Sequence, residues 1–423
     1  MPRSADSGHA PVGEGYTAIS HCRACGGSDL VSVLDLGCLQ LTGVFPSDPN
    51  ESITSGPLEL VWCSRCTLVQ LAHTFAPNEL YGDNYGYRSG LNQSMVRHLE
   101  RKSRHLERLV GLRAGDVVLD IGSNDATSLK AYTTGDVRRV GIDPIGAKLR
   151  KHYTEDIVLV PQFFSARAYQ ETGVGPASIV TSIAMFYDLD DPVGFARQVA
   201  EVLAPNGVWH FEQSYLPSML RLCSYDTICH EHLEYYSLGV VKHILSEAGL
   251  EILDVEMNAV NGGSFAVTAA KPGHRRHVNT PVIQWLLEQE REWQTDTPRP
   301  FRDFEERVFR HRRDLTRLLP ALVEDGKTVF GYGASTKGNV TLQFCGISDR
   351  DLRAIVEVND DKFGHFTPGT GIPIVPECDA AGPQPDYYLV LPWHFRDSIV
   401  QRESDFLERG GKMIFPFPEI EIV

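Results

Sequence analysis

Residues 225–236 read Tyr-Asp-Thr-Ile-Cys-His-Glu-His-Leu-Glu-Tyr-Tyr. His230, Glu231 and His232 stand in a row, with Tyr225, Tyr235 and Tyr236 around them. Histidine has the ordinary pKa nearest neutrality, which makes it the usual general base. A pair of histidines also suits zinc, and a polar surface loop can have the same composition. The segment therefore has three readings: proton transfer, metal ligation or plain surface.

Cys22-Arg-Ala-Cys25 and Cys63-Ser-Arg-Cys66 form two C-x2-C knuckles. Each knuckle points two thiolates at one centre, and together they supply the four sulfurs of a tetrahedral zinc site. Gly26 and Gly27 permit the tight turn after the first pair. A closed four-sulfur site leaves no position for substrate, so this zinc is expected to be structural. A redox pair normally needs only one such motif.

Val117-Val-Leu-Asp-Ile-Gly-Ser-Asn-Asp125 reads as a strand running into a turn. Asp120 ends the apolar run, and Gly122 lets the backbone approach a ligand. Asp143-Pro144 follows the second strand, where a carboxylate can accept hydrogen bonds from a ribose. The three-glycine dinucleotide fingerprint is missing, so the loop suits a pyrophosphate poorly. Asp120 and Asp125 would repel phosphates and favour a cationic or amino-bearing ligand. That argues for S-adenosylmethionine over NAD, with Asp120, Gly122, Asn124, Asp125, Asp143 and Pro144 as candidate contacts. Ile179 to Ala184 is a further strand whose end, with Ser182 and Ala184, would border the same crevice. Val202-Leu-Ala-Pro-Asn-Gly-Val208 has the helix end, turn and strand start typical of methyltransferase domains.

Gly331-Tyr-Gly-Ala-Ser-Thr-Lys-Gly-Asn339 follows another strand. Backbone amides, hydroxyls and Lys337 at a helix N-terminus can cradle phosphate. The spacing is not that of a Walker A loop, which argues against nucleotide hydrolysis. Ser335, Lys337 and Asn339 are candidates for binding the pyrophosphate of a sugar nucleotide. Glu357, ending the next strand, would meet a ribose, and Lys362 would add charge.

These residues need elements to hold them. Val117–Ile121, Val140–Ile142, Ile179–Ile183 and Val208–Phe211 read as strands alternating with helices, which predicts a mostly parallel sheet. Leu91, Met95, Leu99, Leu106 and Leu109 recur at helical spacing before it. Thr328–Gly331, Ile355–Val358 and Tyr387–Leu391 begin a second α/β unit. The expected divisions are a disordered lead-in over 1–16, a zinc-binding domain over 17–75 and a methyltransferase domain over 76–272. A helical connector over 273–325 and a sugar-nucleotide-binding domain over 326–423 follow. In the connector, Ile283, Leu286 and Leu287 mark one helix. Phe301, Phe304, Val308, Leu315, Leu318, Leu319 and Leu322 mark the other.

The 423 residues are 42% hydrophobic and 22% charged, ordinary values for a soluble protein. A formal net charge of −15 argues against non-specific nucleic-acid or anionic-membrane partners, which need a basic surface. No apolar run approaches the ~20 residues of a bilayer span. Met1 to Tyr16 lacks the apolar core of a signal peptide, so the expected location is cytoplasmic. There the nine cysteines favour metal binding or burial over disulfides.

Taken in order, these motifs resemble the sugar C-methyltransferases, S-adenosylmethionine-dependent enzymes that methylate a ring carbon of nucleotide-linked 4-keto deoxysugars. The resemblance runs from about Cys22 to Pro418. It rests on the two knuckles, Tyr81-Gly-Asp-Asn-Tyr-Gly-Tyr-Arg-Ser-Gly90, Asp120–Asp125 and His230–Ser237. Asn261-Gly-Gly-Ser264, Gly331–Asn339 and Thr367-Pro-Gly-Thr-Gly-Ile-Pro373 complete it. It implies an α/β protein of three parts: a small zinc-binding N-terminal domain, a central class I methyltransferase Rossmann-like domain, and a C-terminal Rossmann-like domain. The implied substrate is a dTDP-linked 4-keto deoxysugar methylated at C3, on the way to a branched sugar of a natural product such as an antibiotic. His232 is implied as the base, with His230 and Glu231 orienting it or binding sugar. Tyr85 or Tyr87 would close over the substrate, and Asn261 is a further substrate contact.

This chain departs from the family pattern at Cys229, commonly tyrosine, at Met185, where relatives carry histidine, and at Ala126, often glycine. Three other activities fit parts of the sequence: an NAD(P)-dependent oxidoreductase, an O- or N-methyltransferase, and a hydrolase holding metal on His230 and His232. A non-catalytic zinc scaffold would fit the cysteines alone. The expected assembly is a monomer or simple homo-oligomer.

Overall fold

The computed structural model describes residues 15–80, 87–377 and 385–423. Tyr85, Cys378 and nearly all of the expected lead-in lie outside the described residues. The chain forms two compact units. The first comprises the residues up to Leu80, Met219–Glu234 and Asp296–Val423; the second comprises Tyr81–Ser218 and Tyr235–Thr295.

The second unit is built on a seven-stranded sheet. Its order is Glu251–Asn258, Ser264–Ala270, Leu203–Ser214, Ala177–Ile183, Val117–Ile121, Arg138–Ile142, Ile157–Val160. The last five strands run parallel, and the first two are antiparallel additions. Every residue of Val117–Ile121 is buried, as a central parallel strand requires. The strand order reverses between Val117–Ile121 and Ala177–Ile183, and a crevice beyond the carboxyl ends there is the usual ligand position of such sheets.

Sequence alternation found the central strands but not Ile157–Val160, Glu251–Asn258 or Ser264–Ala270. Ile157–Val160 is an edge strand with only its first residue fully buried, so its apolar signal is short. The helix Gln93–Val110 starts where the Asn92 side chain accepts the Ser94 N–H at 2.9 Å. It stops at Gly111, whose φ of 64° ends it in the left-handed region. Leu99 and Leu106 on its inner face are buried.

Among the described residues the first unit has three sheets. Leu30–Gln40, Ser55–Cys63 and Val69–Leu71 pair antiparallel, and Tyr16–Ala18 pairs with His73–Phe75. The C-terminal sheet runs Ile374–Pro376, Ile355–Glu357, Val329–Tyr332, Tyr387–Val390, Lys412–Phe415, Glu421–Ile422. Its first strand in chain order lies near the middle, the Rossmann-like arrangement. The helix Arg299–Glu324 buries Phe301, Phe304, Val308, His311, Leu315 and Leu319, a stripe at three- and four-residue spacing.

Packing does not follow the chain-order divisions of the sequence reading. Met219–Glu234, which carries the histidine segment, packs with the first unit. The two helices read as one connector also separate: Thr280–Glu292 belongs to the second unit and Arg299–Glu324 to the first. Among the described residues no helix is long and apolar enough to cross a membrane.

Candidate active site

Each cysteine knuckle closes the same way. The Gly26 N–H donates to the Cys22 carbonyl at 2.9 Å, and the Thr67 N–H to the Cys63 carbonyl at 2.8 Å. Gly26 and Thr67 share a φ of 67°, so each turn ends on a left-handed residue. The Cys22 and Cys66 sulfurs lie 3.5 Å apart and those of Cys25 and Cys63 3.6 Å apart, with all four within 4.8 Å. Tetrahedral zinc with bonds of about 2.3 Å asks for sulfurs about 3.8 Å apart. The donor set therefore fits zinc with all four positions filled by protein.

The histidine segment is anchored from its start. The Tyr225 hydroxyl meets His311 Nδ1 at 3.0 Å, and its ring packs on Phe344 and Phe417. Trp393 Nε1–H donates to Asp226 at 2.8 Å. Burial raises the pKa of Asp226, and the Lys337 charge then opposes that rise.

His232 Nδ1 lies 2.8 Å from the Thr227 carbonyl. A carbonyl only accepts, so Nδ1 carries the proton and the neutral ring's lone pair sits on Nε2. Burial, and then the Lys337 charge, holds His232 down at about 3. The ring is therefore neutral, as a base must be, throughout the neutral pH range.

His230 has different surroundings. It is wholly buried, with Nε2 3.2 Å from the Gly56 carbonyl and its ring edge-on to Phe75 at 4.6 Å. Burial holds it down at about 4. Glu231 is also buried, and that burial raises its pKa above the ordinary glutamate value. Among the described residues its Oε2 has no hydrogen-bond partner. A side chain at Gly43 would strike its Oε1 at 2.6 Å, so glycine makes room for this carboxyl. Among the described residues the one group arranged to hold a metal is the cysteine quartet, and His230 and His232 form no second one.

The C-terminal loop differs from a phosphate cradle in its details. Gly333, with φ 78°, turns the chain out of Val329–Tyr332, and Ser335 caps the helix Thr336–Cys345 by accepting the Gly338 N–H at 3.0 Å. The Ala334 N–H is taken by Glu357 at 2.8 Å, and Glu357 also accepts the amides of Val358 and Asn359. Lys362 donates to the Ala334 carbonyl at 2.7 Å. Asn339 is fully buried and donates to the Thr42 carbonyl at 2.8 Å. Ser335, Asn339, Glu357 and Lys362 thus have protein partners that shape the loop. The Lys337 charge acts on Asp226, His232 and His394. Nothing in its sequence position shows that it belongs with the histidine segment.

In the second unit, Asp120, Gly122, Asn124, Asp125, Asp143 and Pro144 meet around one turn. Asp143 accepts the Asn124 N–H at 2.7 Å and the Ile145 N–H at 2.9 Å. Asp120 is buried and accepts the Thr181 hydroxyl at 2.5 Å. Burial raises its pKa to about 7, and Asp143 adds to the rise. Gly122 has φ 73°, and a side chain there would press on Met185 at 3.1 Å.

The side chains of Asn124 and Asp125 fasten the segment before the helix. Asn124 bonds the Ser89 N–H and the Tyr87 carbonyl, and Asp125 accepts the Gly90 N–H at 2.9 Å. Tyr87 itself is exposed. Asn124, Ala126 and Ala184 all have positive φ, of 48°, 59° and 53°, a concentration of backbone strain typical of ligand sites. Ser182 differs from its expected role: it is fully buried and accepts the Trp209 indole N–H at 2.9 Å. Asn261 lies in a left-handed turn between Glu251–Asn258 and Ser264–Ala270. Two buried carboxylates beside a close-approach glycine fit S-adenosylmethionine, which carries a sulfonium, an ammonium and a ribose.

This sheet order, crevice and acidic turn define a class I S-adenosylmethionine-dependent methyltransferase. Family models match in sequence: a zinc binding domain over residues 22–81, a methyltransferase domain over 95–255, and a C-methyltransferase C-terminal domain over 259–418. The chain is 34% identical over 409 residues to C-methyltransferase NovU of Streptomyces niveus, covering 96% of this chain and 97% of that protein. The chain belongs to this C-methyltransferase family, with a structural zinc site and S-adenosylmethionine as cofactor. The oxidoreductase reading falls with that finding.

Among solved structures, the mitomycin 7-O-methyltransferase MmcR is 14% identical with a TM-score of 0.34, over 43% of this chain and 55% of that one. The cyclopropane synthase MmaA2 of Mycobacterium tuberculosis is 14% identical with a TM-score of 0.34, over 46% of this chain and 91% of that one.

Proposed function

We propose that the protein methylates C3 of a dTDP-linked 4-keto deoxysugar, with His232 as the base. The observation that carries this reading is the fixed tautomer of His232, whose Nδ1–H is held by the Thr227 carbonyl. A 4-keto group acidifies the proton on C3. His232 Nε2 takes that proton, and the electron pair moves onto the keto oxygen as an enolate. Lys337 supplies the positive charge that favours this oxyanion, an effect that is strong in a site shielded from water. Glu231, buried and with its pKa raised by that burial, is a candidate hydrogen-bond partner of the sugar.

S-adenosylmethionine, when bound, supplies an electrophilic methyl on a sulfonium. Asp120 and Asp143 would hold its cationic and ribose portions. The product would be a branched sugar of the kind built into natural-product glycosides.

The test is incubation with S-adenosylmethionine and a dTDP-linked 4-keto deoxysugar in heavy water. One methyl should appear on C3, and C3 deuterium should appear without cofactor only when His232 is present. A methyl on oxygen or nitrogen would overturn the acceptor assignment.

A further inference from the structure

Arg23 follows the first cysteine of the first knuckle in sequence, a place where a side chain ordinarily points to solvent. Here its side chain is only 2% exposed. Burying a guanidinium is costly unless its donors are matched. Nη1 donates to the Leu71 carbonyl at 2.7 Å, and Nη2 to the Thr74 hydroxyl at 2.7 Å and the His73 carbonyl at 3.2 Å. The Arg23 backbone N–H adds a bond to Gln70 at 3.1 Å. Nε faces Glu234 at 3.8 Å, and the Glu234 side chain is fully buried.

These contacts lead to the histidine segment by three routes. Leu71, whose carbonyl Arg23 holds, donates its own N–H to the Leu233 carbonyl at 2.8 Å, one residue beyond His232. Thr74, which Arg23 also holds, precedes Phe75, the ring against His230. The ion pair to Glu234 fixes the end of the same segment. Hydrogen bonds of this kind are stiff and directional, and the fork of arginine spans several acceptors as lysine cannot.

We infer that Arg23 is a positioning residue that transmits the order of the four-sulfur centre to the base, His232. The zinc site then does more than close the N-terminal fold: it sets the geometry of proton removal. This inference rests on the reading of His232 as the base.

The test uses the full-length zinc-loaded protein and its Arg23→Met, Arg23→Lys and Glu234→Gln variants. Zinc content, S-adenosylmethionine affinity, steady-state kinetics and hydrogen–deuterium exchange of peptides covering 69–75 and 228–234 are measured. The expected result for Arg23→Met is full zinc and unchanged cofactor affinity, with kcat about 10- to 100-fold lower and KM little changed. Exchange in both peptides should accelerate, as it should in chelator-stripped wild type. Glu234→Gln, which keeps the shape of the side chain, should give the same pattern more weakly, and Arg23→Lys should not restore kcat. Loss of zinc in both the Arg23→Met and Glu234→Gln proteins would overturn the inference, because Arg23 would then serve only the metal site. Wild-type kcat or unchanged exchange at 228–234 in Arg23→Met would overturn it as well. Failure of the base reading shows separately, as C3 exchange that survives in His232→Gln with Arg23 intact.

Discussion

The two Rossmann-like sheets of this protein use one backbone device for opposite electrostatic ends. In each, the first strand of the sheet leads into a glycine turn. A carboxylate from the end of the neighbouring strand then takes an amide of that turn: Asp143 holds Asn124 at 2.7 Å, and Glu357 holds Ala334 at 2.8 Å. Around the first turn a second buried carboxylate, Asp120, makes the crevice acidic. Beyond the second, Lys337 adds a cation whose field reaches Asp226 and His232. The acidic turn suits a sulfonium, and the basic one suits an enolate or phosphate. The shared carboxylate grip is therefore scaffolding, and the other charges around each turn decide which ligand it can serve.

The sharpest way to break this contrast is at the base itself. His232→Gln should lower kcat about 10²- to 10⁴-fold and abolish C3 deuterium exchange, with cofactor affinity unchanged by calorimetry. Lys337→Met should cost about 10²-fold in kcat/KM. It should also raise the pKa of His232, because that charge is the second cause of its depression. The base works deprotonated, so activity falls as pH drops through its pKa. The acid limb of the pH–rate profile should therefore move upward from its very low position in the wild type.

Asp120→Asn should weaken S-adenosylmethionine about 10-fold. In the wild type the raised pKa, about 7, means that Asp120 gains its charge as pH rises through neutrality. Cofactor affinity should thus improve between about pH 6 and 8, and the variant should lose that dependence. A flat wild-type profile would remove Asp120 from the contrast. The smallest change concerns Ala126, whose φ is 59° and whose side chain is fully buried. Ala126→Gly relieves left-handed strain but gives up a buried methyl, two effects of about 1 kcal/mol that oppose each other. Thermal unfolding should shift by no more than a few degrees.

Local chemistry was legible in the sequence where one short stretch carries the whole signal. The cysteine spacing, the all-buried run Val117–Ile121 and the stripe from Phe301 to Leu319 are of this kind. So was the acidic turn, because Asp120, Gly122 and Asp143 sit at strand ends that alternation locates. What stayed hidden depends on long-range packing. Ser182 reads as a crevice residue from its place at a strand end, yet strand alternation alone does not reveal that its hydroxyl accepts the Trp209 indole N–H. Lys337 reads as a phosphate ligand from its loop, yet its charge acts on Asp226 and His232 in the histidine segment, which packs through Tyr225 and Asp226 beside Phe344 and Trp393. Arg23 has no motif of its own, and only the strand Val69–Leu71 and the bonds around it show what it holds.

The assignment of Met219–Glu234 to the first unit has a consequence for synthesis on the ribosome. The histidine segment emerges long before Trp393 and Phe417, whose side chains fix Asp226 and Tyr225. A nascent chain could complete the seven-stranded sheet and acquire cofactor while its base still lacked an anchor. Catalytic competence would then be the last property the growing polypeptide gains. A ribosome-stalled intermediate would bind S-adenosylmethionine without removing a proton.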